Sequence, residues 1–133
     1  MLSRIVNYVL LFVVGVVVGA VGTIAHQSTW RIGGFTLPWG LVLALLGYTA
    51  LLVGLRLLSR SRIPALVAAL GTILVILLFA QRSAGGSVLI VNDLIGQVWL
   101  VAPIVIAALV MAWPDLSKHR GDPAHEVPSR ETA

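Results

Sequence analysis

The stretch IVNYVLLFVVGVVVGAVGTIA, residues 5–25, contains no Asp, Glu, Lys or Arg. How it is read decides the fold. Arg4 ahead of it and the small residues around Thr23 and Ala25 at its end imitate a secretory signal, but the apolar core of a signal runs only about 7–15 residues. A helix of about 20 apolar residues, rising ~1.5 Å per residue, crosses the ~30 Å hydrocarbon layer. The stretch therefore reads as a retained first transmembrane helix. Three more charge-free runs follow at residues 32–55, 63–81 and 94–114. Lipid offers no hydrogen-bond partner to backbone N–H and C=O groups, so each run must satisfy itself as a helix.

Composition agrees with this reading. Of 133 residues, 59% are hydrophobic and 11% charged, whereas a soluble domain carries about 25% charge and a disordered chain is usually more polar still. The formal charge of +4 would suit nucleic acid if it formed a groove-sized patch, but the basic residues sit in short loops beside apolar runs. Their expected partners are anionic lipid headgroups, with no nucleic acid. The chain has no cysteine, which excludes disulfides and thiolate chemistry.

The basic residues also orient the chain. Arg4, Arg56, Arg60, Arg62, Lys118, Arg120 and Arg130 fall on one side of a four-span threading, and only Arg31 and Arg82 on the other. The excess of Lys and Arg on cytoplasmic loops predicts a multi-pass plasma-membrane protein with both termini cytoplasmic. Trp30, Phe35 and Trp39 at the first outer connection, and Tyr8 and Trp113 near the inner boundary, fit aromatic rings at headgroup level.

The predicted architecture is an all-α, four-helix transmembrane bundle made of two tandem helical hairpins, with spans at about 5–25, 37–58, 63–81 and 94–113. Residues 1–114 form this domain, and residues 115–133, with Pro123, Pro128 and mixed charges, form a disordered cytoplasmic tail. Pro38 and Pro64 stand at early helical positions, where the missing N–H is no loss. Asn92 and Asp93 are the expected cap of span 4, and Pro103 inside that span predicts a kink. In the first outer connection, residues 28–32 and 35–37 flank Gly33-Gly34 and read as two short strands around a glycine turn. Residues 88–91 are also β-prone, and either join these strands in a small outer sheet, dip into the interface or extend span 4. The order of a Gly-Gly pair, a β-prone run and a tryptophan near the start of a span occurs in both halves, as a faint repeat or as coincidence.

Two faces of small residues stand out. Gly15, Gly19 and Gly22 line span 1, and Gly40, Gly47 and Gly54 recur every seventh residue of span 2, with Ala44 beside them. Joining helices in lipid brings little hydrophobic gain, so glycine faces that allow close backbone approach drive association. The simplest use of both is to pack spans 1 and 2 together, with a second copy or another membrane protein as the alternative partner. Asn7, Tyr48, Thr72 and Gln97 are expected to hydrogen-bond between helices or sit at the interface. Arg56 is expected to snorkel to the inner surface, and His26 to be a solvated interfacial residue.

Residues 30–41, WRIGGFTLPWGL, with GSVLIV at 86–91 ahead of span 4, resemble a family of small four-helix actinobacterial membrane proteins of uncharacterised function. Members tend to be encoded beside the deacetylase of mycothiol biosynthesis. The resemblance spans roughly residues 5–113 and implies a four-helix fold and an actinobacterial plasma membrane; it supplies no catalytic residues. The residues themselves offer no nucleophile–base pair, paired carboxylates or metal-ligand spacing, so no catalytic, cofactor or metal site is expected. An accessory or scaffold subunit acting through helix association is the leading expectation, and a small oligomeric transporter the alternative. Proton-coupled transport generally requires an ionisable group inside a span, and none occurs at mid-depth here.

The threading is testable because the chain is cysteine-free. Ser28→Cys is expected to react with an impermeant thiol reagent only from outside intact cells, and Ser129→Cys only from inside. Labelling of both from the same side would overturn the threading.

Overall fold

The computed structural model describes residues 1–81 and 94–114. In chain order the elements are α1 (Leu2–Ala25), β1 (Trp30–Ile32), β2 (Phe35–Leu37), α2 (Trp39–Leu58), α3 (Ile63–Ala80) and α4 (Leu94–Ala112). All four helices are long and apolar enough to cross a membrane. The run 88–91, the Asn92-Asp93 cap and the tail 115–133 lie outside the described residues.

Helix ends follow local chemistry. α1 begins before the predicted boundary, with the Arg4 N–H donating to the Met1 carbonyl at 3.1 Å. α2 starts at Trp39 rather than residue 37, because Thr36 and Leu37 are engaged in β2 and Pro38 is held at φ −77°, ψ 67°, outside the helical region. Pro64 falls in the first turn of α3, where its missing N–H would have had no intrahelical acceptor.

The first outer connection is an antiparallel hairpin pairing Trp30 with Leu37, Arg31 with Thr36 and Ile32 with Phe35. β2 has the predicted bounds, whereas β1 starts two residues later than predicted, since Ser28 is held in the turn that ends α1, with its N–H on the Ala25 carbonyl at 2.9 Å. Gly33 and Gly34 have φ of +56° and +85°. Two successive positive φ angles make the two-residue turn whose twist matches that of the strands.

The main helix seam is α1 against α3, not α1 against α2 as predicted. A Cβ at Gly15 would overlap the Ala68 backbone, one at Gly19 would lie 2.9 Å from the Thr72 carbonyl oxygen, and one at Gly71 would overlap the Phe12 carbonyl. The order of these contacts, 15 against 68 and 19 against 72, ascends along both helices, so the pair is parallel. Thr72 adds a polar tie across the seam, its hydroxyl lying 2.7 Å from the Gly15 carbonyl oxygen and 3.2 Å from that of Ala68. One hydroxyl proton serves these two acceptors. Behind the seam, Ala65, Ala68 and Ala69 of α3 pack with Tyr48 and Leu52 of α2 and Ala107 and Val110 of α4, while Leu41, Ile76 and Trp99 form a second cluster.

In α2 only Gly40 serves the predicted internal packing, lying against the Ala25 carbonyl and Ser28. Gly47 and Gly54 have no described atom within 4 Å of where a Cβ would stand. The reason is position along the helix. Gly40 stands in the first turn of α2, beside the turn that ends α1, and its N–H bonds the Ser28 carbonyl at 3.0 Å. Further along, Tyr48 and Leu52 are the side chains that α2 turns to the core, and at about 100° per residue Gly47 and Gly54 stand roughly 100° and 120° around the helix from Tyr48.

Adding a methyl group separates the two classes of glycine. Gly15→Ala and Gly71→Ala are each expected to destabilise the bundle by about 1–3 kcal/mol through overpacking against backbone, measured by unfolding in mixed detergent micelles. Gly47→Ala, with open space before it, should cost nothing and gain up to about 1 kcal/mol from the better helix propensity of alanine. Equal costs at all three positions would contradict the seam.

Candidate functional site

Three places in the fold hold chemistry: a buried polar node where α1 meets α4, a cleft at the opposite end between α2 and α4, and the outward stripe of α2. The node is built on the last turn of α1. The Thr23 hydroxyl donates to the Gly19 carbonyl at 2.7 Å, four residues back, and accepts the Trp99 indole N–H from α4 at 3.1 Å. Gly22 makes room for the indole, since a Cβ there would lie 2.5 Å from the ring.

His26 completes the node, buried where the sequence predicts a solvated interfacial residue. Only 1% exposed, the histidine stacks on Trp99 with ring centroids 5.7 Å apart and planes 9° from parallel. Its Nδ1 lies 2.5 Å from the Thr23 carbonyl oxygen, an acceptor only, so Nδ1 carries the proton in this arrangement. The ring closes the end of α1 rather than facing solvent. His26 follows Thr23 by three positions and Gly22 by four, a helical spacing that points the histidine to the same side as each and signals a shared partner. No local signal named Trp99 as that partner.

Two more polar spans residues are used internally. The Tyr48 hydroxyl donates to the Pro103 carbonyl at 3.2 Å. Pro103 itself is fully buried within a helix that continues through it, so the predicted kink site is a packing position between α2 and α4. Thr72 joins α3 to α1 as described. Asn7 and Gln97 lie on outward faces.

At the other end, an Arg56 Nη donates to the Trp113 carbonyl at 3.0 Å, just past the end of α4. A cation there suits the unsatisfied carbonyls and partial negative charge of a helix C-terminus. Val53, Arg56, Leu57, Val110 and Trp113 line a cleft of about 340 Å³ beside it. Among the described residues its walls are apolar apart from the guanidinium. Among the described residues, no group of three His, Cys, Asp or Glu could hold a metal ion.

Of the predicted packing glycines, Gly15, Gly19, Gly22 and Gly40 meet neighbouring elements within the chain. Gly47 and Gly54 instead lie on a stripe with Leu43, Ala50 and Leu57, at the i, i+3 and i+4 spacing of one helix face. Leu43, Gly47, Ala50 and Leu57 are exposed.

The Thr23–Trp99 bond is expected to be the polar tie between α1 and α4. Thr23→Val, Trp99→Phe and the double variant should give a coupling of about 0.5–1.5 kcal/mol in a double-mutant cycle, the range seen for inter-helix hydrogen bonds in membranes. A coupling near zero in mixed-micelle unfolding would remove that role.

No curated protein and no solved structure matches the chain. Residues 1–125 match a family of unknown function, DUF6113. That match covers nearly the whole chain, four apolar spans included, and the protein is a member of the DUF6113 family.

Proposed function

We propose that the protein is a non-enzymatic accessory or scaffold subunit that works in the plane of the plasma membrane by helix–helix association, through the Leu43, Gly47, Ala50, Gly54 and Leu57 face of α2. The observation that carries this is the contrast among glycines. Gly15, Gly19, Gly22, Gly40 and Gly71 leave no room for a Cβ, whereas Gly47 and Gly54 have open space in front of them. A glycine inside an exposed helix weakens it relative to alanine. In lipid, what such a residue offers in return is a shallow groove where a second helix can approach closely.

The polar groups argue in the same direction. Thr23, His26, Tyr48, Thr72 and Trp99 spend their hydrogen-bonding capacity on neighbouring helices or their own backbone, which builds a rigid body rather than a solute path. The basic residues favour cytoplasmic termini, and the resemblance to actinobacterial membrane proteins would place the chain in that bacterial plasma membrane. Its partner is a second copy or another membrane protein.

Purification in mild detergent tests this reading. A second polypeptide, either the chain itself or another membrane protein, is expected to co-purify with the parent and to be lost from Gly47→Leu and Gly54→Leu, neither of which should unfold earlier than the isolated parent chain. Ala50→Cys should also form a disulfide-linked dimer in membranes if the partner is a second copy. Unchanged association in both leucine variants would overturn the proposal, as would a lone parent chain that moves solutes across reconstituted vesicles.

A further inference from the structure

The hairpin between α1 and α2 has two chemically different faces. Side chains alternate across a strand, and the observed register places Trp30, Ile32, Phe35 and Leu37 on one face and Arg31 and Thr36 on the other. The apolar four are not packed on the bundle: they are 63%, 64%, 70% and 41% exposed. An isolated two-stranded hairpin is marginal in water. This one presents its whole apolar face outward, so its surroundings must cover that face.

The stems decide what those surroundings are. Three residues, Gln27 to Thr29, separate the end of α1 and His26 from β1, and Pro38 alone separates β2 from α2. The base is closed by the Gly40 N–H donating to the Ser28 carbonyl at 3.0 Å. Because both helices are membrane spans, the hairpin is tied to the bilayer surface. A three-residue strand is about 10 Å long, while each interfacial layer is only about 5–7 Å deep, half the difference between the full bilayer and its hydrocarbon core. Standing upright, the hairpin would lift Ile32 and Phe35 beyond the headgroups. Lying down, it keeps all four apolar side chains within them. The chain turns at both stems, through the Ser28 N–H bond to the Ala25 carbonyl and through Pro38 at φ −77°, ψ 67°, so the strands do not prolong the helix axes.

We infer that the β1–β2 hairpin is a membrane-surface anchor: it lies in the lipid interface with Trp30, Ile32, Phe35 and Leu37 embedded at the headgroup–acyl boundary and Arg31 and Thr36 facing phosphates and water. The occupant of the apolar face is thus the bilayer itself. Charge supports this choice, because residues 26–40 contain Arg31 and no carboxylate, a composition compatible with phosphate-bearing headgroups. Tryptophan favours the same layer, where its ring is buried and its N–H stays wet. The hairpin continues the lipid-facing surface of α1 and α2, and its anchoring is independent of what binds the outward stripe of α2.

The test uses the full chain in phosphatidylcholine–phosphatidylglycerol vesicles. As the chain lacks cysteine, the separate variants Arg31→Cys, Ile32→Cys, Phe35→Cys and Thr36→Cys each carry a single spin label. The accessibility ratio of oxygen to a water-soluble nickel chelate is expected to be several-fold higher at 32 and 35 than at 31 and 36. A second measurement keeps the other native apolar side chains: quenching of tryptophan emission by lipids brominated near the top of the acyl chain should fall on Trp30→Phe, because part of the quenched emission is that of Trp30. Equal ratios at all four positions would overturn the anchor. So would labels at 32 and 35 shielded from both reagents, which would mean that a protein covers the face. An unquenched Trp30 contribution would likewise overturn it.

Discussion

Close backbone contact between α1 and α3 is the interaction on which the bundle depends. Lipid tails solvate leucine and valine as well as a neighbouring helix does, so the hydrophobic effect that assembles soluble bundles contributes little between these spans. What remains is dispersion between surfaces that fit, and this grows as backbones approach. Gly15, Gly19 and Gly71, with Ala68, remove the side chains that would hold the axes apart. The approach also brings the Thr72 hydroxyl within reach of the Gly15 carbonyl, so packing and hydrogen bonding support each other.

The other helices are organised around this pair by polar contacts of the same economy. Trp99 reaches from α4 into the space left by Gly22 and bonds Thr23, and Tyr48 reaches from α2 to the Pro103 carbonyl. Each tie joins a side chain on one helix to a polar group on another, in surroundings where an unmatched donor is costly. His26 shows how far this goes: a residue type usually at home in water is closed over by an indole ring and donates to its own helix. Among the described residues, the outward stripe of α2, the amphipathic hairpin and the cleft beside Arg56 lie outside this packed centre.

Much of the fold was legible in the residues. Charge-free runs marked four helices, and Gly33-Gly34 between β-prone residues marked the hairpin, because these features depend on local physics: hydropathy, backbone freedom and the φ preference of glycine. The candidate surfaces were only partly legible. Both glycine faces are visible in the residues, but the partner of α1 is not, since a small-residue face says that something approaches closely and not what approaches. Gly71 is silent for the same reason, as a lone glycine in an apolar run carries no pattern.

By itself, the sequence determined that the chain is a four-span membrane protein, where its helices begin and end to within a few residues, and that its outer connection turns at two glycines. Only the tertiary structure decided that α1 packs on α3, that His26 is buried beneath Trp99, and that Gly47 and Gly54 look outward while Gly40 looks inward. The physical reason is range. Helix formation and turn geometry are settled among residues a few positions apart, whereas the rotation of one helix against another is settled by contacts such as Thr23 with Trp99, 76 positions apart in the chain.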